Sequence, residues 1–432
     1  MRNPLEEIEW LVQERAKDIS LDMGGEGKDK LRSLIEEEVL RWSLDHRRGL
    51  RPRDLSDPEG VVDRAFRNLA GYGPLEPLLD DDDVWEIMIN APDAIFVKRH
   101  AGPSGYHDEV FHDDDHVVRT LTKIVDDASG AHRKLDPAEG LQDAQLDNGA
   151  RLHIVHGDVS RGGHVMVNLR RFTGVAFTSL DQLVERQMLS REAASFLAAC
   201  VRARCTVVVA GPPGAGKTTM LSCCAAELDP SLRVVVAEEV FEADVPLPNV
   251  ASMQTRAARA DRPAVDLRRL VSGFLRMAPD VAIVGEVRDR EALPLLLTLS
   301  SGVQGFTTIH AGTARQALTR LRFICQLSDA GADLPMSALN TLVSESIDVV
   351  AHCARGPYGP RVSEIVAVED LAGGVDAAQF TVTQVFARRP PSGPLLWTGN
   401  VPARLSEALR NQGESIHQLL GRGEPVSAAG GG

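Results

Sequence analysis

Residues 211–219 constrain this chain more than any others: Gly211-Pro212-Pro213-Gly214-Ala215-Gly216-Lys217-Thr218-Thr219. They follow an apolar run, Cys205-Thr206-Val207-Val208-Val209-Ala210, and they open a helical pattern. Gly211, Gly216, Lys217 and Thr218 match G-x-x-x-x-G-K-[ST] in a strand–loop–helix context. Glycines let backbone N–H groups turn inward around phosphate oxygens, and the helix start adds its positive end. The pattern predicts that Lys217 reaches the outer phosphates and that the Thr218 hydroxyl ligates Mg²⁺. The implied ligands are ATP and Mg²⁺, and a core of strands must carry the loop.

The same logic picks out further strand ends. Val281-Ala282-Ile283-Val284-Gly285 delivers Glu286 to an edge, where it could polarise an attacking water or hold Mg²⁺. Its plainer reading is a helix cap or a salt bridge to Arg288. Glu238, Glu239 and Glu242 follow the apolar run 233–237. Clustered carboxylates repel unless a cation neutralises them. Two of the three are expected to be simply solvated, and Glu239 and Glu242 are the functional candidates. His310 ends the run Gly305-Phe306-Thr307-Thr308-Ile309, where a structural histidine and a sensor of phosphate charge are both open.

Around this centre the chain divides by pattern. Residues 1–58 show helical spacing, with Leu5, Ile8, Leu11 and Val12 in one stretch and Leu31, Ile35, Val39, Leu40 and Leu44 in another. A break is expected at 23–27 and a polar linker from 46 to 58. Residues 59–172 suggest an α+β unit: a helix at 60–71, strands at 85–90 and 94–97, a helix near 116–127, a hairpin turn at Asn148-Gly149 and a closing strand to Phe172. Residues 173–189 are expected as linker. Residues 190–420 alternate helix and strand, with strands at 206–210, 233–237, 281–285, 305–309 and 347–351, as α/β proteins with a largely parallel sheet do. Residues 421–432 are expected to be a disordered tail.

Bulk properties narrow the function classes. The 432 residues carry 47 basic and 61 acidic side chains, a net charge of −14. That balance and the scarcity of aromatics, with four Trp and three Tyr, argue against nucleic acid as the partner. No apolar run approaches the roughly 20 residues of a membrane span, so any membrane role is expected to be peripheral, from the cytoplasmic side and through partners. The six cysteines form no C-x-x-C pair, which favours buried thiols over zinc.

The order of these motifs resembles the CpaF/TadA-like branch of the type II/type IV secretion ATPases, over roughly residues 60–385. Glu238-Glu239-Val240-Phe241-Glu242 is similar to the family's E-D-x-x-E loop, with Glu in place of Asp. Leu275-Arg276-Met277-Ala278-Pro279-Asp280 and Gly285-Glu286-Val287-Arg288 resemble its atypical Walker B, and Thr308-Ile309-His310-Ala311 its histidine box. Gly73-Pro74-Leu75-Glu76-Pro77-Leu78-Leu79 and Glu86-Ile87-Met88-Ile89-Asn90 look like its entry segment. The resemblance implies a RecA-like P-loop NTPase C-terminal domain behind a PAS-like α+β N-terminal domain and a helical extension. It implies a hexamer that works on a polytopic inner-membrane platform protein of a Tad/Flp-type pilus or secretion machine. A conjugation or type IV secretion motor moving DNA or protein is the alternative.

Arginines of the N-terminal domain close over the nucleotide in such enzymes, which makes Arg151, Arg170 and Arg171 candidates here. Arg256 and Arg288 are similar candidates from the motor domain. Three departures stand out. Ser300-Ser301-Gly302-Val303-Gln304-Gly305 replaces N-T-G-H-x-G, Glu239 lengthens the acidic loop by a methylene, and the four-cysteine zinc module of type II secretion ATPases is missing.

Overall fold

The computed structural model describes residues 3–17, 25–99, 102–127, 135–146, 150–171, 177–256, 258, 262–328, 331–356, 359–371 and 379–420. The chain forms two compact units, Met1–Gly174 and Val175–Gly432.

The first unit opens with three helices, α1 (Pro4–Ala16), α2 (Gly25–Arg47) and α3 (Pro58–Ala70). α1 and α3 each start with proline behind a capping side chain, Asn3 accepting from the Leu5 N–H and Asp57 from the Gly60 N–H. Ile8 and Val12 of α1, Ile35, Val39 and Trp42 of α2, and Val62 and Ala65 of α3 form one buried cluster. Two expectations change here. Gly25 and Gly27 lie inside α2 rather than in a break, and α3 shares its core with the helices that precede it rather than opening the α+β domain alone. The stretch after α2 is also tied down: the Trp42 indole donates to the Arg53 carbonyl and His46 contacts the Arg51 carbonyl.

Next come α4 (Glu76–Leu79), β1 (Val84–Ala91), β2 (Ala94–Arg99), β3 (Gly105–Tyr106), α5 (Asp114–Asp127), β4 (Leu141–Gln145), β5 (Arg151–Val155) and β6 (Met166–Arg170). The strands form an antiparallel sheet in the order β3-β2-β1-β6-β5-β4. Ile87 pairs with Leu169 and Ile89 with Val167, so one face of the sheet is apolar and packs with Val117, Leu121 and Ile124 of α5. The Asn148-Gly149 turn lies outside the described residues. The strands on either side pair antiparallel, Gln145 opposite Arg151.

The second unit holds α6 (Leu180–Glu185), α7 (Arg191–Arg202), β7 (Val207–Ala210), α8 (Lys217–Ala225), β8 (Val234–Glu238), β9 (Val250–Gln254), α9 (Leu267–Val271), β10 (Val281–Val287), α10 (Ala292–Leu299), β11 (Gln304–Ile309), α11 (Ala314–Leu327), α12 (Met336–Ser346), β12 (Val349–Gly356), β13 (Gly359–Val368), β14 (Val382–Arg388), β15 (Leu395–Trp397), α13 (Ala403–Asn411) and α14 (Ile416–Leu420). Its sheet runs β15-β14-β13-β12-β7-β11-β10-β8-β9. From β12 to β9 neighbouring strands are parallel. β13, β14 and β15 extend it antiparallel, which the sequence pattern did not place.

Successive residues of the parallel strands serve opposite faces. Val207, Val209, Val234, Val236, Val281 and Ile283 pack on one side, with α7 and α8. Val208, Val235, Ala282 and Val284 pack on the other, with α10, α11 and α12. Helices cover both faces, so these strands are apolar throughout rather than alternating. Residues 177–189 do not run as a linker: Leu180 and Leu183 of α6 are buried in the first of these cores.

Candidate functional site

The parallel strands end on one edge, and the order β7-β11-β10-β8 decides which loops meet there. β7 runs into the glycine-rich loop. At Gly211 a side chain is excluded, since a Cβ would stand 2.3 Å from the Cys353 carbonyl oxygen of β12. The loop passes into α8 through Gly216, which is left-handed and makes no side-chain cap. Without a cap the first N–H groups of α8 remain available to an anion. The Arg355 guanidinium donates to the Gly214 carbonyl at 3.2 Å, tying the loop to the end of β12.

Lys217 is buried. Its ammonium donates to the Pro212 carbonyl at 3.1 Å and to His310 Nδ1 at 3.1 Å. The same nitrogen lies 3.2 Å from the Gly211 carbonyl oxygen, and Nε2 lies 2.7 Å from Glu286 Oε1 at the end of β10. Glu286 Oε2 is in turn 2.6 Å from Arg288, whose other arm is 2.8 Å from Glu239 Oε2, just past β8. Four consecutive strand ends are thus linked as Lys217, His310, Glu286, Arg288 and Glu239. The two readings of Glu286 left open by the sequence coexist: it is at the site and it is paired with Arg288.

Burial of Glu286 opposes its ionisation, but the hydrogen bonds from His310 and Arg288 outweigh that cost and hold the carboxyl at about 2. Burial likewise opposes the Arg288 charge, and Glu286, Glu239 and Glu242 together raise its pKa. Glu242 reaches the glycine-rich loop as well, accepting from the Thr218 hydroxyl at 3.4 Å.

Glu238 is the residue that sequence reasoning passed over. It is 3% exposed, and its Oε1 accepts from the backbone N–H groups of Glu242 (3.1 Å) and Ala243 (2.9 Å). It folds the acidic loop back so that Glu239 and Glu242 face the site. Glu291 does the same for the loop after β10, accepting from the N–H groups of Arg288 (2.5 Å) and Asp289 (2.9 Å). Thr308 donates to the Gly285 carbonyl at 2.8 Å, fixing β11 against β10 beside His310.

Other candidates are not gathered here. Arg256 donates to the Pro263 carbonyl at 3.2 Å. In the first unit Arg151 and Arg170 stand opposite each other across β5 and β6. Arg171 is a correction. Its guanidinium donates to the carbonyls of Leu78 (2.9 Å), Val84 (3.0 Å) and Asp81, so it braces the turn before β1 instead of being held out for phosphate. No described residues form a cluster of three or more His, Cys, Asp or Glu suited to a metal ion. The oxygen donors near Thr218 are still of the hard type that Mg²⁺ takes together with phosphate and water.

A P-loop on a parallel sheet, with a carboxylate and a histidine on the two neighbouring strand ends, defines a P-loop nucleotide hydrolase. The type II/IV secretion system protein family model matches residues 68–369, and the chain belongs to that family of ATP-hydrolysing secretion enzymes. It is 31% identical over 318 residues to a protein of Mycobacterium tuberculosis named for conjugal transfer, covering 72% of this chain and 88% of that protein. It is 32% identical over 309 residues to the conjugal transfer protein TrbB of Rhizobium radiobacter, covering 67% and 85%. The crystal structure of the VirB11 ATPase from the Brucella suis type IV secretion system matches 68% of this chain and 94% of that chain at 25% identity, with a TM-score of 0.37. These relatives widen the expected Tad/Flp branch to the secretion family as a whole.

Proposed function

We propose that the strand-edge network from Lys217 to Glu239 is the ATPase centre and that Mg²⁺–ATP is its substrate. The observation that carries this is the continuous contact of Lys217, His310 and Glu286 across β7, β11 and β10. The backbone of residues 211–219 cradles the phosphates. Thr218 and, through water, Glu239, Glu242 and Glu286 would hold Mg²⁺, whose charge neutralises the phosphate oxygens.

Lys217 exchanges the Pro212 carbonyl and His310 Nδ1 for phosphate oxygens when nucleotide enters. His310 stands between Lys217 and Glu286, so the occupancy of the loop would reach the carboxylate through it. A carboxyl held near 2 is a weak proton acceptor. Glu286 therefore orients and polarises the attacking water as a fixed anion rather than taking its proton early. A phosphate-release assay tests the reading: Lys217→Ala should abolish turnover, and a variant as active as the wild type would sink it.

Hydrolysis in this family serves secretion, and the machine can be narrowed. We propose a ring, a hexamer, at the inner face of a cell membrane, working through a polytopic platform protein of a pilus or secretion system. The motif order supports the Tad/Flp pilus branch, while the names of the relatives support conjugal or type IV transfer. Direct handling of DNA is disfavoured by the charge of −14. Gel shift at physiological salt separates the readings, since a conjugal DNA pump retards single strands and a pilus motor does not.

A further inference from the structure

We infer that the C-terminal end of α2, with the turn that follows, is a docking surface for an anionic lipid bilayer. Leu40, Leu44 and Arg47 lie on one side of α2, since residues four and seven apart share a helix face, and Arg48 follows directly in the turn, its N–H donating to the Leu44 carbonyl. The opposite side carries Trp42, buried in the three-helix core. Leu40 is 62% exposed, and Leu50, in the turn after the helix, is 70% exposed. Nothing in the helical core requires leucine at such positions.

The charge of the segment runs against that of the chain. Residues 40–54 hold five arginines against two aspartates, Asp45 and Asp54, a local excess of positive charge within a protein of net charge −14. Arg41 and Arg51 are used inside the unit, on Glu38 and Glu7. Among the described residues, Arg47, Arg48 and Arg53 make no side-chain hydrogen bond or ion pair, and all three are exposed. An acidic protein is repelled by an anionic leaflet except where such a patch faces it, so the patch fixes which face approaches. Guanidinium groups bind lipid phosphates in forked pairs, and the leucines enter the headgroup boundary beside them, as interfacial helices do. No described helix is long and apolar enough to cross a membrane, so contact of this kind would be at the surface. A fluid headgroup layer takes leucines and arginines at any register, whereas a protein partner needs a matched relief.

The inference rests on the first unit alone and is independent of the ATPase assignment. Its test is flotation of the full chain with vesicles of phosphatidylcholine alone and with about one third phosphatidylglycerol. Wild type is expected to float with the anionic vesicles only, and to be released by raised salt. Arg47→Glu with Arg48→Glu should reduce partitioning about thirtyfold or more. Leu40→Ser, Leu44→Ser and Leu50→Ser together should also reduce it. Both variants should keep wild-type circular dichroism and wild-type ATP turnover without lipid. Equal binding to both vesicle types, or variants that float like wild type, would overturn the idea. Binding to neither vesicle would also overturn it and leave an acidic protein surface as the occupant.

Discussion

Glu286 is the residue on which the site turns, because its two oxygens face two different partners, His310 and Arg288. Removing its charge leaves Arg288 bridged only to Glu239 and removes the anion that His310 addresses. Glu286→Gln keeps the shape, so the expected result is a kcat lower by about 10² or more with KM for ATP little changed. A proportional rise in KM instead would make Glu286 a binding residue.

The same pairing has an acid signature. The folded carboxyl lies at about 2 against an ordinary 4.5. A depressed carboxyl contributes stability that is fully present above about 4.5 and is lost as pH falls toward about 2. Denaturant unfolding of wild type and Glu286→Gln should therefore differ by a constant amount at neutral pH, and the gap should shrink below about pH 4.5. A gap that widens with acid would contradict the pairing.

At the scale of elements, the acidic loop is built by close approach between β8 and β10. A Cβ on Gly285 would stand 2.8 Å from Cγ of Glu238, the side chain that holds the Glu242 and Ala243 N–H groups. Gly285→Ala should displace Glu238, release the loop, cost about 1–3 kcal/mol in stability and lower turnover. Thermal unfolding together with phosphate release measures both, and a variant with wild-type Tm would refute the contact.

This is also where the sequence stopped being legible. The loop at 211–219 could be read because its glycines, lysine and threonine each answer a requirement of phosphate binding. Glu286 and His310 could be read because an apolar run points to the strand end where each lies. Among the three glutamates after one strand, Glu239 and Glu242 were the candidates and Glu238 was given no role. Every residue of β8 is buried, so there is no alternation to show which way Glu238 faces. The strands β13 to β15 were missed for a related reason: they continue the sheet antiparallel beyond the alternating helix–strand pattern.

At the scale of the whole molecule, the first unit carries a charge pattern of its own. Arg170 stands between Glu86 on one side and Arg151 on the other, in register across three strands. Like charges directly opposite each other are unfavourable in a sheet, so the pairing asks for a reason. The family resemblance suggests a reason, since in such enzymes arginines of the N-terminal domain close over the nucleotide. Arg171, one residue on, is spent on the carbonyls of Leu78, Asp81 and Val84. The three neighbouring arginines therefore separate by experiment. Arg171→Ala should lower the Tm of the first unit, because three carbonyls lose their donor. If Arg151 and Arg170 close over the phosphates, Arg151→Ala with Arg170→Ala should lower kcat by about 10³, the range removed with an arginine that meets transition-state charge. Nucleotide affinity, set mainly by Lys217 and its loop, should change much less. Wild-type turnover in the double variant would remove the arginines from the mechanism.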